Sequence, residues 1–136
     1  MLGRLFCYGT LRVPAVVRAL LGRVPGRRDA VLPAHRRGRL ADRPWLGIAP
    51  SAAESVGGTL YEGLTSAELR RLDRYEGADY RRGAVRVQTR AGRQRTWAYL
   101  PRRPLADDPD AAATPWRVLG LPPPRPTRPA SKSRPL

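Results

Sequence analysis

The segment LTSAELRRLDRYEG, residues 64–77, carries two start signals and one stop signal for a helix. Thr65 followed by Glu68 spells a capping box, in which the hydroxyl accepts from the third helical amide and the carboxylate reaches back to the cap amide. Leu64 before the cap and Leu69 four residues into the helix make the matching hydrophobic staple. Gly77 supplies the left-handed residue expected to end it. Leu69, Leu72 and Glu76 then fall at i, i+3 and i+7, so a carboxylate shares the face of the leucines, with Asp73 close by. Burial, a neighbouring carboxylate and the negative end of the helix dipole would all raise the pKa of Glu76 toward neutrality. That tuning suits a group that takes and returns a proton. The competing reading is a last-turn glutamate that reaches solvent or pairs with an arginine such as Arg81 or Arg82.

Outward from this helix the pattern turns to strands. Ala84–Thr89 alternates, with Val85, Val87 and Thr89 on one side and Arg86 and Gln88 on the other. After the turn RAGRQ, Thr96–Leu100 resumes with Trp97 and Tyr99 aligned, which predicts a hairpin. Val56–Tyr61 reads as a strand thinned by Gly57 and Gly58, and Leu2–Tyr8 as a strand broken at Gly9. Pro14 suits the first turn of a helix to about Leu21, with Val17, Leu20 and Leu21 on one face and Gly22 after it. Residues 31–48 carry arginines and prolines that leave their structure open. The sum is an α+β domain built on an antiparallel or mixed sheet or small barrel with a few outer helices.

The chain has 136 residues, one domain's worth, and 41% hydrophobic content. Residues 1–101 read as that domain, 102–120 as a partly ordered extension with Trp116 docking back, and 121–136, LPPPRPTRPASKSRPL after Gly120, as a disordered Pro/Arg tail. One cysteine, Cys7, and one histidine, His35, allow neither an internal disulfide nor a metal-ligand cluster, so no metal or cofactor is expected. Cys7 inside a strand reads as an inert small hydrophobe, and His35 as a surface-loop residue. The formal charge is +15, yet all but one of the 26 basic residues are arginine, scattered along the chain. Solvated surface charge accounts for them better than a specific nucleic-acid site. No stretch approaches the roughly 20 apolar residues of a membrane span, and the apolar start Met1–Tyr8 is short for a signal segment. The expectation is a soluble cytoplasmic protein, monomeric or weakly dimeric, without a membrane partner.

A second segment, LFCYGTLR at residues 5–12, places a strand end and a glycine turn before a helix. Gly9 would let the chain turn without a Cβ clash, and the amides of Gly9, Thr10 and Leu11 could bind a carboxylate. Alone it is a turn. The order YGTLR, WLGI, VGGTLYEGL, LDRYEGADYRR, VRVQT and WAYLP, from Leu5 to Pro101, resembles the γ-glutamylcyclotransferase-like superfamily, and in particular its avirulence-induced-gene-like branch. The resemblance implies a small mixed β-barrel with outer helices. It implies that Tyr8, Gly9, Thr10 and Leu11 form the loop that binds the substrate's carboxylate, that Glu76 is the general acid/base, and that Tyr80, in its Y-x-R stretch with Arg82, and Tyr99 border the pocket. The implied reaction converts a γ-glutamyl amide to 5-oxoproline and a free amine, without metal or cofactor. Trp45-Leu46-Gly47-Ile48 stands where many relatives have Tyr-Pro-Gly-Ile, which would reshape the pocket wall. RVPAVVRALLG likewise replaces a polar segment. The amine beyond the γ-glutamyl group stays open. A non-catalytic protein of the same fold that binds a small carboxylate is the alternative, and a basic nucleic-acid-associated module the third reading.

Overall fold

The computed structural model describes residues 2–41 and 44–106. Strand β1 (Gly3–Cys7) leads through a 3-10 turn (Thr10–Arg12) into helix α1 (Pro14–Leu21). The long strands β2 (Arg27–Arg39) and β3 (Leu46–Leu64) follow. Helix α2 (Ser66–Glu76), a second 3-10 turn (Gly77–Asp79) and the hairpin β4 (Tyr80–Thr89) and β5 (Gly92–Pro101) complete the order. The five strands close into a ring in the order β1-β3-β2-β4-β5. β1 runs antiparallel to β3 but parallel to β5, with Leu5 opposite Trp97 and Phe6 opposite Ala98. The sheet is therefore mixed, and the molecule is the expected α+β barrel with two helices on its wall.

Strand alternation sorts the side chains into two layers. Along β1, Phe6 and then Tyr8 join Leu32, Ile48, Val56, Leu60, Val87 and Ala98 in one cluster that fills the barrel. Leu5 and Cys7 point the other way and pack with Val17 and Leu21 of α1 and Leu69, Leu72 and Tyr75 of α2. The two faces of one five-residue strand thus serve two cores. Gly58 permits the tightest crossing. A Cβ there would overlap the Cys7 carbonyl oxygen and lie 2.7 Å from the Phe6 ring, so only glycine lets β3 approach β1 this closely.

Helix α2 carries its predicted start. The Glu68 amide donates to Thr65 Oγ1 at 3.1 Å, and the Thr65 amide donates to Glu68 Oε1 at 3.0 Å. Arg23 adds a two-pronged contact to the same carboxylate, at 2.7 and 2.8 Å. That guanidinium, more than the cap amide, holds the Glu68 pKa down at about 2. The helix stops at Gly77 with φ 77° and ψ −163°, positive in φ as expected but extended in ψ instead of left-handed helical. The chain therefore leaves α2 through a 3-10 turn straight into β4.

Three expectations differ in extent. The strand read over Val56–Tyr61 is the end of a 19-residue strand, and the open region 31–48 contains most of β2 and the start of β3. Together these form a long hairpin whose register shifts at Pro33/His35, where Ala34 takes φ 59°. Strand β1 begins at Gly3 and ends at Cys7, one residue inside the expected range at each end. Leu105 bridges to Leu40 and is buried. Trp116 and the tail from 121 lie outside the described residues.

Candidate functional site

The C-terminal turn of α2, the loop after β1, the start of β3 and the facing ends of β4 and β5 meet around one cavity. Tyr8, Gly9, Thr10 and Leu11 border it, together with Glu76, Tyr80 and Tyr99, so all seven residues singled out from the sequence come together. Phe6, Cys7, Trp45 and Leu46 complete the lining. The cavity encloses about 40 Å³. That holds a small polar group, since a buried water needs about 10–15 Å³ by the same measure. A longer ligand must extend toward the mouth.

Each residue arrives there for a local reason. The fully buried ridge of α2 is Leu69, Leu72 and Tyr75, at i, i+3 and i+6. Glu76, one residue on, is half-buried at the edge of that ridge and borders the cavity. The sequence placed it among the leucines; the structure puts it at their rim, because Tyr75 takes the core position. Asp73 is not a bare neighbouring charge. Arg82 Nε and Nη2 donate to its Oδ1 and Oδ2 at 2.9 and 3.2 Å, and the Tyr99 hydroxyl donates to Oδ1 at 2.7 Å. Of the two arginines offered as alternative partners for Glu76, Arg82 is thus engaged with Asp73.

Gly9 sits at φ −130°, ψ −132°, and an added Cβ would meet no atom within 4 Å. Beyond its chain neighbours nothing crowds this position, so the missing side chain leaves the space beside the loop backbone open. The loop is fastened from beneath, where the buried Tyr61 hydroxyl donates to the Leu11 carbonyl at 2.8 Å. The Tyr8 hydroxyl donates to the Tyr99 carbonyl and the Tyr80 hydroxyl to the Leu46 carbonyl, both at 2.6 Å. Three tyrosines of the lining, with Tyr99 on Asp73, therefore cross-link its walls, each through its one hydrogen.

Three other titratable groups of the lining are shifted by their surroundings. Burial, and after it the nearby Glu76 charge, pushes the Cys7 thiol up, against a smaller opposing effect of Arg12. Tyr8 is raised by burial, then by Tyr80 and Glu76. Tyr99 is raised by burial and by its hydrogen bond to Asp73, with the Asp73 and Glu76 charges adding. The thiol and these two phenols stay protonated at neutral pH. Among the described residues, no group of three or more His, Cys, Asp or Glu side chains could hold a metal ion. No helix among them is long and apolar enough to cross a membrane.

Sequence reasoning did not place Phe6 and Cys7 in the lining. Both end the strand that feeds the loop, and that adjacency to Tyr8–Leu11 was the available signal. Trp45 and Leu46 open the WLGI stretch, whose departure from related chains had pointed to the pocket wall. The link from Asp73 to Tyr99 spans 26 residues and had no local signal.

Known proteins show the family and the fold. "AIG2-like protein C" of Arabidopsis thaliana is 42% identical over 83 residues, 61% of this chain and 48% of that protein. The chain spans about half the length of the curated relatives it matches. A solution structure of an Arabidopsis thaliana protein superposes with a TM-score of 0.70 at 33% identity, covering 81% of this chain and 74% of the other. A structure titled "Gamma-glutamyl cyclotransferase" superposes with a TM-score of 0.68 over 97% of this chain and 95% of the other; at 18% identity that likeness shows the shared fold. The sequence pattern described as "Gamma-glutamyl cyclotransferase, AIG2-like" matches residues 5–118, most of the chain. The chain belongs to that family.

Proposed function

We propose that the protein is a γ-glutamylcyclotransferase-type enzyme that cyclises a small-molecule γ-glutamyl amide to 5-oxoproline and releases the amine. The observation that carries this reading is a single acidic side chain, Glu76, on a cavity whose other wall is the Tyr8–Leu11 loop. A γ-glutamyl compound has its α-amine four bonds from the amide carbonyl carbon, so attack closes a five-membered ring. Catalysis then needs positioning and proton transfer. The amides of Gly9, Thr10 and Leu11 would hold the α-carboxylate. The Glu76 carboxylate would accept a proton from the α-ammonium, and the freed amine attacks the carbonyl carbon. As the tetrahedral adduct collapses, that proton passes from Glu76 to the leaving nitrogen and the bond to it breaks. Glu76, ionised again, takes the second proton from the ring nitrogen, leaving the neutral lactam, and passes it to the amine, which departs as an ammonium. Cys7, Tyr8 and Tyr99 are all held protonated, which supports Glu76 as the proton carrier. The Tyr80 and Tyr99 hydroxyl hydrogens already point at protein acceptors, which favours backbone amides over either phenol as donors to the oxyanion.

The test is an end-point screen of the protein against γ-glutamyl amino acids and γ-glutamyl amines, with 5-oxoproline read by mass spectrometry. Glu76→Gln should lower turnover by about 10²–10⁴-fold. Equal turnover by the variant would remove Glu76 from the chemistry. Absence of product from the folded wild type would favour binding of a small carboxylate without turnover, a reading that the cavity's modest volume also suits.

A further inference from the structure

Asp73 stands one helical turn before Glu76, yet the cavity does not include it. Its Oδ1 receives two hydrogens, one from the Tyr99 hydroxyl at 2.7 Å and one from Arg82 Nε at 2.9 Å. Arg82 is fixed in turn. It lies directly opposite Tyr99 in the β4–β5 ladder, and its guanidinium carbon sits 4.7 Å from the Trp97 ring centroid. Asp73 is thus held in one orientation by a planar fork, and it accepts the only hydrogen that the Tyr99 hydroxyl owns.

That has a consequence for the cavity Tyr99 borders. A phenol whose hydrogen is committed elsewhere presents only lone pairs to a ligand, and donation to a carboxylate strengthens them as acceptors. Tyr8 and Tyr80 are in the same condition, their hydrogens directed to the carbonyls of Tyr99 and Leu46. With the Glu76 carboxylate among them, the hydroxyl and carboxyl groups on this side of the cavity accept and do not donate. Such a lining suits a ligand cation, while the Gly9–Leu11 amides opposite suit an anion.

The geometry points to Asp73 as a positioning residue: by holding the hydrogen of Tyr99, it makes that hydroxyl an acceptor for the α-ammonium of an amino-acid ligand, beside Glu76. Asp73 itself touches no substrate. This inference rests on the proposed carboxylate site of the Tyr8–Leu11 loop and adds to it a receptor for the ammonium group.

The test uses two fragments that cannot be turned over, L-norvaline and pentanoate. They share a carboxylate and a five-carbon chain and differ in the α-ammonium. Affinities are read by NMR titration of the full chain. The wild type should bind norvaline about tenfold or more tighter than pentanoate, the value of a hydrogen bond to a charged group. Asp73→Ala frees the Tyr99 hydrogen and should lower that ratio severalfold, the Glu76 carboxylate keeping the remainder, with norvaline affinity falling more than pentanoate affinity. Tyr99→Phe, which leaves Asp73 and Arg82 paired, should do the same. Asp73→Asn keeps an oxygen at the Oδ1 position and should retain most of the preference. A ratio unmoved by both Asp73→Ala and Tyr99→Phe overturns the assignment. So does an equal loss of both affinities, which is the mark of a loosened fold. Pentanoate binding with no wild-type preference for norvaline overturns the ammonium receptor and leaves the carboxylate site standing; failure of both fragments to bind the wild type overturns the carboxylate site as well.

Discussion

Gly57 and Gly58 are adjacent in β3, and the structure requires that replacing them by alanine have opposite effects. At Gly57 an added Cβ meets no atom within 4 Å, and the residue is exposed. Replacing a strand glycine there removes only the entropy cost of its freedom in the unfolded chain, so Gly57→Ala should stabilise by about 0.5–1 kcal/mol. At Gly58 the Cβ would overlap the Cys7 carbonyl oxygen and come within 2.7 Å of Phe6 Cζ, about 0.7 Å inside ordinary contact. Neither neighbour can yield cheaply. One is backbone in the β1–β3 ladder, and the other is a fully buried ring. Overpacking of a well-filled core costs about 1–3 kcal/mol and occasionally more. A clash with both backbone and ring belongs at the top of that range, so Gly58→Ala should destabilise by about 3 kcal/mol. That is a large part of a typical domain's total of about 5–15 kcal/mol. Equilibrium urea unfolding of both variants against wild type reads the difference directly, through midpoints at an unchanged slope. Equal stabilities for the two variants would refute the strand packing described here, since no propensity difference separates two neighbouring glycines by so much.

Two further outcomes follow from individual contacts. Tyr61→Phe removes the donor at 2.8 Å from the buried Leu11 carbonyl, and should cost about 1–3 kcal/mol in thermal or chemical unfolding while weakening carboxylate binding at the loop. The Glu68 carboxyl titrates at about 2 in the folded protein against an ordinary 4.5, chiefly because of Arg23. A depressed carboxylate pKa contributes stability that is complete above about pH 4.5 and is lost as pH falls through about 2. Unfolding free energy should therefore decline over that window, and Arg23→Gln should flatten the decline; an unchanged acid limb in the variant would show that other carboxylates govern it.

What could be read from the residues depended on how local the governing interactions were. The start of helix α2 was legible because Thr65, Glu68, Leu64 and Leu69 act on one another within five residues. The β4–β5 hairpin was legible because Val85, Val87 and Thr89 alternate with polar residues, and a ten-residue ladder follows from that period. Strands β2 and β3 hid for the opposite reason. In β2 only Ala30, Leu32 and Gly38 are buried, and arginines occupy half of the remaining positions. In β3, Gly47 and Gly58 interrupt the apolar pattern where crowding demands a small residue, Pro50 does so beside the register shift, and Gly57 does so with no neighbour that requires glycine. Partners in these strands lie far apart in sequence, so local propensity has little to report.

The same distinction runs through the candidate site. Glu76 could be located on α2 by periodicity alone, but a helical wheel does not separate a core position from the rim beside it; the large ring of Tyr75 filling the core decided that. The Tyr8–Leu11 loop gained meaning only when set beside Glu76, because a glycine turn has many uses and a turn facing a carboxylate has few. Tyr80 and Tyr99 came through family resemblance, since nothing in their own strands marks them. Asp73 was read as a charge that would perturb Glu76, whereas its carboxylate is taken up by Arg82 and Tyr99. Residues that border the cavity could thus be nominated from sequence. Residues that set its hydrogen-bonding character could not, because that character depends on where each hydroxyl sends its one hydrogen, and the acceptors of Tyr8, Tyr80 and Tyr99 lie 91, 34 and 26 residues away.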